Sequence, residues 1–79
     1  MTTVQQPYEP VWKPGIKCLT SVVTLNNGFV VSAEMYLEGE GVTLEMSCDG
    51  QTMSHYNIEN TAKARQIFVD FINANGGGQ

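Results

Sequence analysis

Glu34 and Glu45 are the residues whose types and positions first ask for a chemical explanation. Each stands in the middle of a strictly alternating run, FVVSAEMYL and VTLEMSC, on the polar side of that alternation. Strands put alternate residues on opposite faces, so both carboxylates belong to a face the core does not use. Two carboxylates can receive an Arg or Lys of another protein, and Tyr36 and Tyr56, one row away, would supply packed area beside them. The competing reading is a solvated, mildly repulsive pair that destabilises by less than about 1 kcal/mol.

The other reactive groups do not converge. His55 is the single histidine. A general base needs a nucleophile or substrate proton within reach, and no neighbour is singled out for it. A zinc site wants about three or four Cys, His or carboxylate ligands in one place, which one His and two Cys on opposed faces do not provide. Glu38-Gly39-Glu40 has too few of a calcium loop's ligand positions. Gly39 and Gly41 precede a strand rather than the helix that a phosphate cradle requires. No catalytic residue, metal site or cofactor is therefore expected. Met35, Met46 and Met53 read as adaptable core filler.

Composition narrows the partner. The chain has 79 residues, four basic and eight acidic, for a formal net charge of −4. Without a basic patch it has little with which to neutralise phosphates or approach anionic lipid. Direct nucleic-acid or membrane binding is not expected, and a partner with a basic surface is. No apolar run reaches the roughly 18–20 residues that span a bilayer, and Met1 to Gly15 lacks the basic-then-apolar order of a signal peptide. A cytoplasmic location is the resulting expectation. In that compartment Cys18 and Cys48 should be free thiols.

The elements that must position these groups follow from pattern and turn chemistry. Residues 1–15 read as an extended arm, because Pro7, Pro10 and Pro14 exclude a helix or a central strand. Tyr8 and Trp12 within it either anchor a partner or, for Trp12, seal an open edge of the core. The domain proper is 16–75. A first strand over 16–25 is rich in β-branched residues, and a second runs from Phe29 to Leu37 with Phe29, Val31, Ala33, Met35 and Leu37 inward. A third places Val42, Leu44, Met46 and Cys48 inward, and a fourth covers Gln51 to Tyr56.

A helix begins at Asn57 to Thr61, where three residues suit an N-cap. It buries a stripe of Ala64, Ile67, Phe68, Phe71 and Ile72, and stops at Asn75-Gly76. Residues 76–79 read as a flexible tail. The fold class is thus α+β: a four-stranded antiparallel meander with one C-terminal helix on one face (ββββα), preceded by a Pro-rich arm.

Turn lengths set the register. A four-residue loop at 38–41 pairs Met35 with Leu44, Ala33 with Met46 and Val31 with Cys48, so every inward residue meets another. It also sets Glu34 opposite Glu45. An Asn26-Asn27-Gly28 loop with a bulge puts Val23 by Val31 and Leu19 by Met35, whereas a two-residue turn would bury Thr20 and Thr24. A tight Asp49-Gly50 turn brings Met53 to Met46 and His55 to Leu44, at the edge of the core. The outer face then carries Thr20, Thr24, Ser32, Thr43, Ser47, Thr52 and Ser54 around the two carboxylates.

The closing Gly76-Gly77-Gly78-Gln79 resembles the end of prokaryotic ubiquitin-like modifiers, in which the last residue is joined to lysines. The resemblance covers those residues alone, and the rest of the chain is patterned for a core. In size and build the chain is similar to small phage or mobile-element proteins that bind and inhibit a host complex. That similarity implies a non-enzymatic protein-binding module, possessed of no chemistry of its own. The alternatives are a structural homo-oligomer, in a virion or scaffold, joined through sheet edges, and, least supported, a small-ligand carrier or enzyme.

Overall fold

The computed structural model describes residues 9–37 and 41–78. Tyr8, the Glu38-Gly39-Glu40 segment and Gln79 lie outside the described residues. Within them the chain is α+β: strands β1 (Lys13–Pro14), β2 (Cys18–Thr24), β3 (Val30–Tyr36), β4 (Val42–Cys48) and β5 (Gln51–Ile58), then helix α1 (Thr61–Ala74). The strands form one antiparallel sheet in sequence order.

Among the described residues the sheet has five strands rather than the four expected. Lys13 and Pro14, expected to belong to an extended arm, instead form a short hairpin with β2, pairing Lys13 with Thr20 and Pro14 with Leu19. Ile16, expected to open a strand, instead stands at the tip of that hairpin and is 93% exposed. Lys17 turns with φ 63, and the Gly15 N–H donates to the Cys18 carbonyl at 2.8 Å. Proline can sit here because an edge strand tolerates a residue that donates nothing to the ladder.

The expected register holds at the centre of the sheet. Met35 faces Leu44, Ala33 faces Met46 and Val31 faces Cys48, while Val23 faces Val31 and Leu19 faces Met35. At the β2–β3 turn the Leu25 N–H donates to Phe29 O at 2.7 Å and the Gly28 N–H to Leu25 O at 2.9 Å. Gly28, at φ 96, takes the left-handed conformation that this three-residue loop needs. At the β4–β5 turn Asp49 and Gly50 are both left-handed, at φ 52 and 78, which matches the twist of a two-residue hairpin.

β5 runs further than expected, to Ile58. Val42 faces Ile58 and Leu44 faces His55, so Tyr56 and Asn57 together oppose Thr43. Asn57 takes up the extra residue at φ 58, and this bulge restores Ile58 to the inward side, where it is buried.

The core lies between the inward face and α1. Val23, Leu25, Val31, Ala33, Met35, Leu44 and Met46 are closed off by Ala64, Phe68 and Ile72 of the helix. The Asn60 side chain caps α1 by accepting from the Lys63 N–H at 2.9 Å. At the other end the Asn75 and Gly77 N–H groups both return to Ile72 O, at 3.1 and 2.9 Å.

Three expectations of burial are corrected. Phe29 and Leu37 are about half exposed, because they fall just outside the two ends of β3, where the regular alternation stops. Phe71 and Ile67 are half-buried, since they flank the stripe centred on Phe68. His55 is exposed rather than partly buried, since it stands on β5, the edge strand of the sheet. Gly76 to Gly78, part of the segment read as a tail, make contacts with the β2–β3 end of the sheet: the Asn26 side chain donates to Gly76 O, the Asn26 N–H donates to Gly77 O at 3.0 Å, and Gly78 bridges Leu25.

Candidate functional site

The face of the sheet opposite α1 carries Glu34, Glu45, Tyr36 and Tyr56. Val31, Ala33 and Met35 are drawn into the core, so the pleat turns Ser32, Glu34 and Tyr36 outward. The same logic on β4 buries Val42, Leu44 and Met46 and presents Thr43, Glu45 and Ser47. Glu34 and Glu45 are direct cross-strand partners. They lie in one row that crosses the whole sheet: Lys13, Thr20, Glu34, Glu45 and Ser54.

Two further groups flank that row. On one side Cys18, Tyr36 and Thr43 face each other across three strands, with Tyr56 next to Thr43 at the bulge. The Tyr36 hydroxyl donates to a Glu34 carboxylate oxygen. That hydrogen bond, with the negative charges of Glu34 and Glu45 nearby, pushes the Tyr36 phenol up to about 12. Tyr56 is 67% exposed. On the other side Val22 pairs with Ser32 and Val30 with Thr24, and both valines are more than half exposed. Ser47 and Thr52, their hydroxyls 3.2 Å apart, continue the Val22–Ser32 row across β4 and β5.

Folding gives no account of two like charges facing each other on this row, since such a pair opposes sheet formation. The Tyr36 hydrogen bond orients Glu34 without neutralising it. What the arrangement can do is receive a cationic side chain between two carboxylates, with tyrosine on one flank and valine on the other.

Trp12 does not belong to this face. It packs against Phe68 with ring centroids 5.4 Å apart and planes at 63°, and it is half-buried beside the core. Its indole N–H is buried with no acceptor among the described residues. Tyr8, the other aromatic of the arm, lies outside the described residues.

Sequence reasoning missed three contributors: Lys13, Val22 and Val30. The Pro14-Gly15 dipeptide is a turn signal that could have set Lys13 opposite Thr20. Val22 and Val30 occupy outward positions of their strands, legible from the alternation once the register was set.

Elsewhere the described surface includes shallow hollows. One, of about 250 Å³, lies between Glu9, Pro10 and Trp12 of the arm and Ala62, Arg65 and Val69 of α1. Another, of about 430 Å³, is lined by Pro14, Lys17, Cys18 and Leu37. Among the described residues no three His, Cys, Asp or Glu side chains gather where they could hold a metal ion. No described helix is long and apolar enough to cross a membrane.

Comparison of the chain with models of known protein families, with characterised proteins and with solved structures finds no match.

Proposed function

We propose that this protein is a non-enzymatic binding module whose outer sheet face docks a basic surface of another protein. One observation carries the reading: Glu34 and Glu45 stand face to face at the centre of an exposed sheet. A like-charged cross-strand pair works against folding and in favour of a cationic partner. An Arg of that partner, entering between them, would be held by charge-assisted hydrogen bonds, and Tyr36, Tyr56, Val22 and Val30 would supply contact area around it. An inhibitor or accessory protein acting on a host complex, as in phage or mobile-element systems, is the biological role such a face would serve.

The test is comparative capture. A protein retained from cell extract by the parent chain should be lost from a Glu34→Gln, Glu45→Gln double variant whose melting curve is unchanged. Equal retention by both would reject the outer face as the docking surface.

A further inference from the structure

The two edges of the sheet are finished differently. The outer edge of β2 is covered at both ends, by Lys13–Pro14 against Leu19 and Thr20 and by Gly77 and Gly78 against Asn26 and Leu25. β5 is the opposite edge, and among the described residues nothing lies beside it. It is also the longest strand, at eight residues. Of the usual guards of an exposed edge it carries only a bulge near its end: from Gln51 to Ile58 there is no proline, lysine, arginine or carboxylate.

The backbone groups that this edge offers can be named. A two-residue turn at Asp49-Gly50 makes Cys48 and Gln51 the hydrogen-bonded pair that closes it. Alternation then points the backbone groups of Gln51, Met53 and His55 at β4, and those of Thr52, Ser54 and Tyr56 away from the sheet. The bulge at Tyr56 and Asn57 ends this regular stretch.

A second feature lies on the same flank. The Ala62, Arg65 and Val69 side of α1 faces the arm, which belongs to the β1 edge. Ile67 and Phe71 come round on the other side of the stripe, toward β5, where Met53 and Cys48 are also half-buried against the core. The free edge and an incompletely covered apolar flank therefore coincide.

We propose that the β5 edge joins a second copy of this chain about a twofold axis, merging two five-stranded sheets into one. Pairing centred on Ser54 sets Ser54 against Ser54 of the other copy and Thr52 against Tyr56. On the helix side it sets Met53 against His55 and brings the Ile67–Phe71 flanks of the two helices toward each other. A second copy is the occupant because this edge is self-complementary and uncharged apart from His55. A chain of net charge −4 can meet itself there without opposing carboxylates. Glu45 lies one strand in from Ser54. Across the joint the two Glu45 residues would be about 14 Å apart at about 4.8 Å per strand, beyond a Debye length of about 8–10 Å. The dimer would thus present two acidic rows on one continuous face.

Sedimentation equilibrium of the full chain, from micromolar to sub-millimolar concentration, should show association to twice the 8.7 kDa chain mass. Amide exchange at Thr52, Ser54 and Tyr56 should slow as the dimer forms. Ser54→Pro removes an N–H that faces only the free edge, and Ser54→Lys sets two ammonium groups at the axis. Each should weaken association by about tenfold or more, and the lysine variant keeps the test decisive if the proline variant does not fold. Glu45→Gln, which disrupts the acidic face alone, should leave association intact and so separates this proposal from the docking role of that face. A parent that stays monomeric throughout, a dimer with freely exchanging Thr52, Ser54 and Tyr56 amides, or a dimer that Ser54→Lys does not weaken would each overturn the proposal.

Discussion

Trp12 and Phe68 meet edge to face, 5.4 Å between ring centroids, and this contact ties the start of the described chain to the middle of the only described helix. Such aromatic pairs contribute about 0.5–1.5 kcal/mol beyond the area they bury. Phe68 is fully buried and Trp12 half-buried, so the two should respond unequally to truncation. Phe68→Ala should destabilise by about 3–5 kcal/mol and Trp12→Ala by about 2 kcal/mol. In a domain of this size the first approaches the whole stability. Urea melts check both. Trp12→Ala at parental stability would mean that the arm does not seal the core.

The same register that fixes the core separates the cysteines. Cys18 faces Tyr36 on the outer face, whereas Cys48 faces Val31 and packs against the core. Both are free thiols. Thiol counting on denatured, unreduced protein should find two reactive sulfhydryls. A native disulfide between them would require one strand to be turned over, and with it every pair from Leu19–Met35 to Met46–Met53.

Much of this was legible because period and turn chemistry agreed. In β3 and β4 the alternation and the loop length point to the same pairs, so Glu34 opposite Glu45 follows from the sequence. Asn-Asn-Gly decides between two registers of β2 because only one keeps Thr20 and Thr24 out of the core. Where the signals are short or interrupted, reading failed. Lys13–Pro14 is too short to show any period. Asn57 breaks the alternation of β5, so Ile58 reads as outside the strand although the bulge returns it to the core. His55 sits at an inward position and is exposed nonetheless, because it stands on an edge strand, and how far an edge is covered is a tertiary fact that no strand period encodes. The site's carboxylates and Tyr36 were found by pattern. Val30 already reads outward from the alternation of β3, and Val22 follows from its pairing with Ser32, but neither carries the charge or hydroxyl by which the outer face was read.

Tyr36 offers a pH test of the site geometry. Its phenol is raised from the ordinary value of 10.0 to about 12 by the hydrogen bond to Glu34, with smaller contributions from desolvation and the nearby negative charges. A folded-state value above the unfolded one contributes stability that is fully present below pH 10 and is lost as pH rises from about 10 to about 12. The difference in phenolate absorbance between the parent and Tyr36→Phe isolates this group. It should titrate late in the parent and near the ordinary tyrosine value in Glu34→Gln. An unshifted Tyr36 in the parent would mean that the hydroxyl does not engage Glu34.

The central prediction concerns Glu45. Its carboxylate faces Glu34 across the strand pair and lies in a row whose other members are Lys13, Thr20 and Ser54. Glu45→Gln removes one charge, keeps the shape and relieves the repulsion. Stability should hold or rise by a few tenths of a kcal/mol, up to about 1 kcal/mol. Binding to a basic partner should weaken and lose part of its salt dependence, because one of two attracting charges is gone. Tyr36→Ala and Tyr56→Ala should each weaken binding by about 2 kcal/mol if they act as anchors. Tyr56→Ala should barely change the melting curve, since Tyr56 is 67% exposed. Lys13→Ala should act in the opposite sense from Glu45→Gln, strengthening the attraction by removing the one positive charge on the row. Isothermal titration at two ionic strengths, paired with thermal melts of every variant, reads all of these together. Weakened binding at unchanged stability is the mark of a docking face. If Glu45→Gln, Tyr36→Ala and Tyr56→Ala all bind as the parent does, the carboxylate row is a solvated surface, and the partner must be met elsewhere on the molecule.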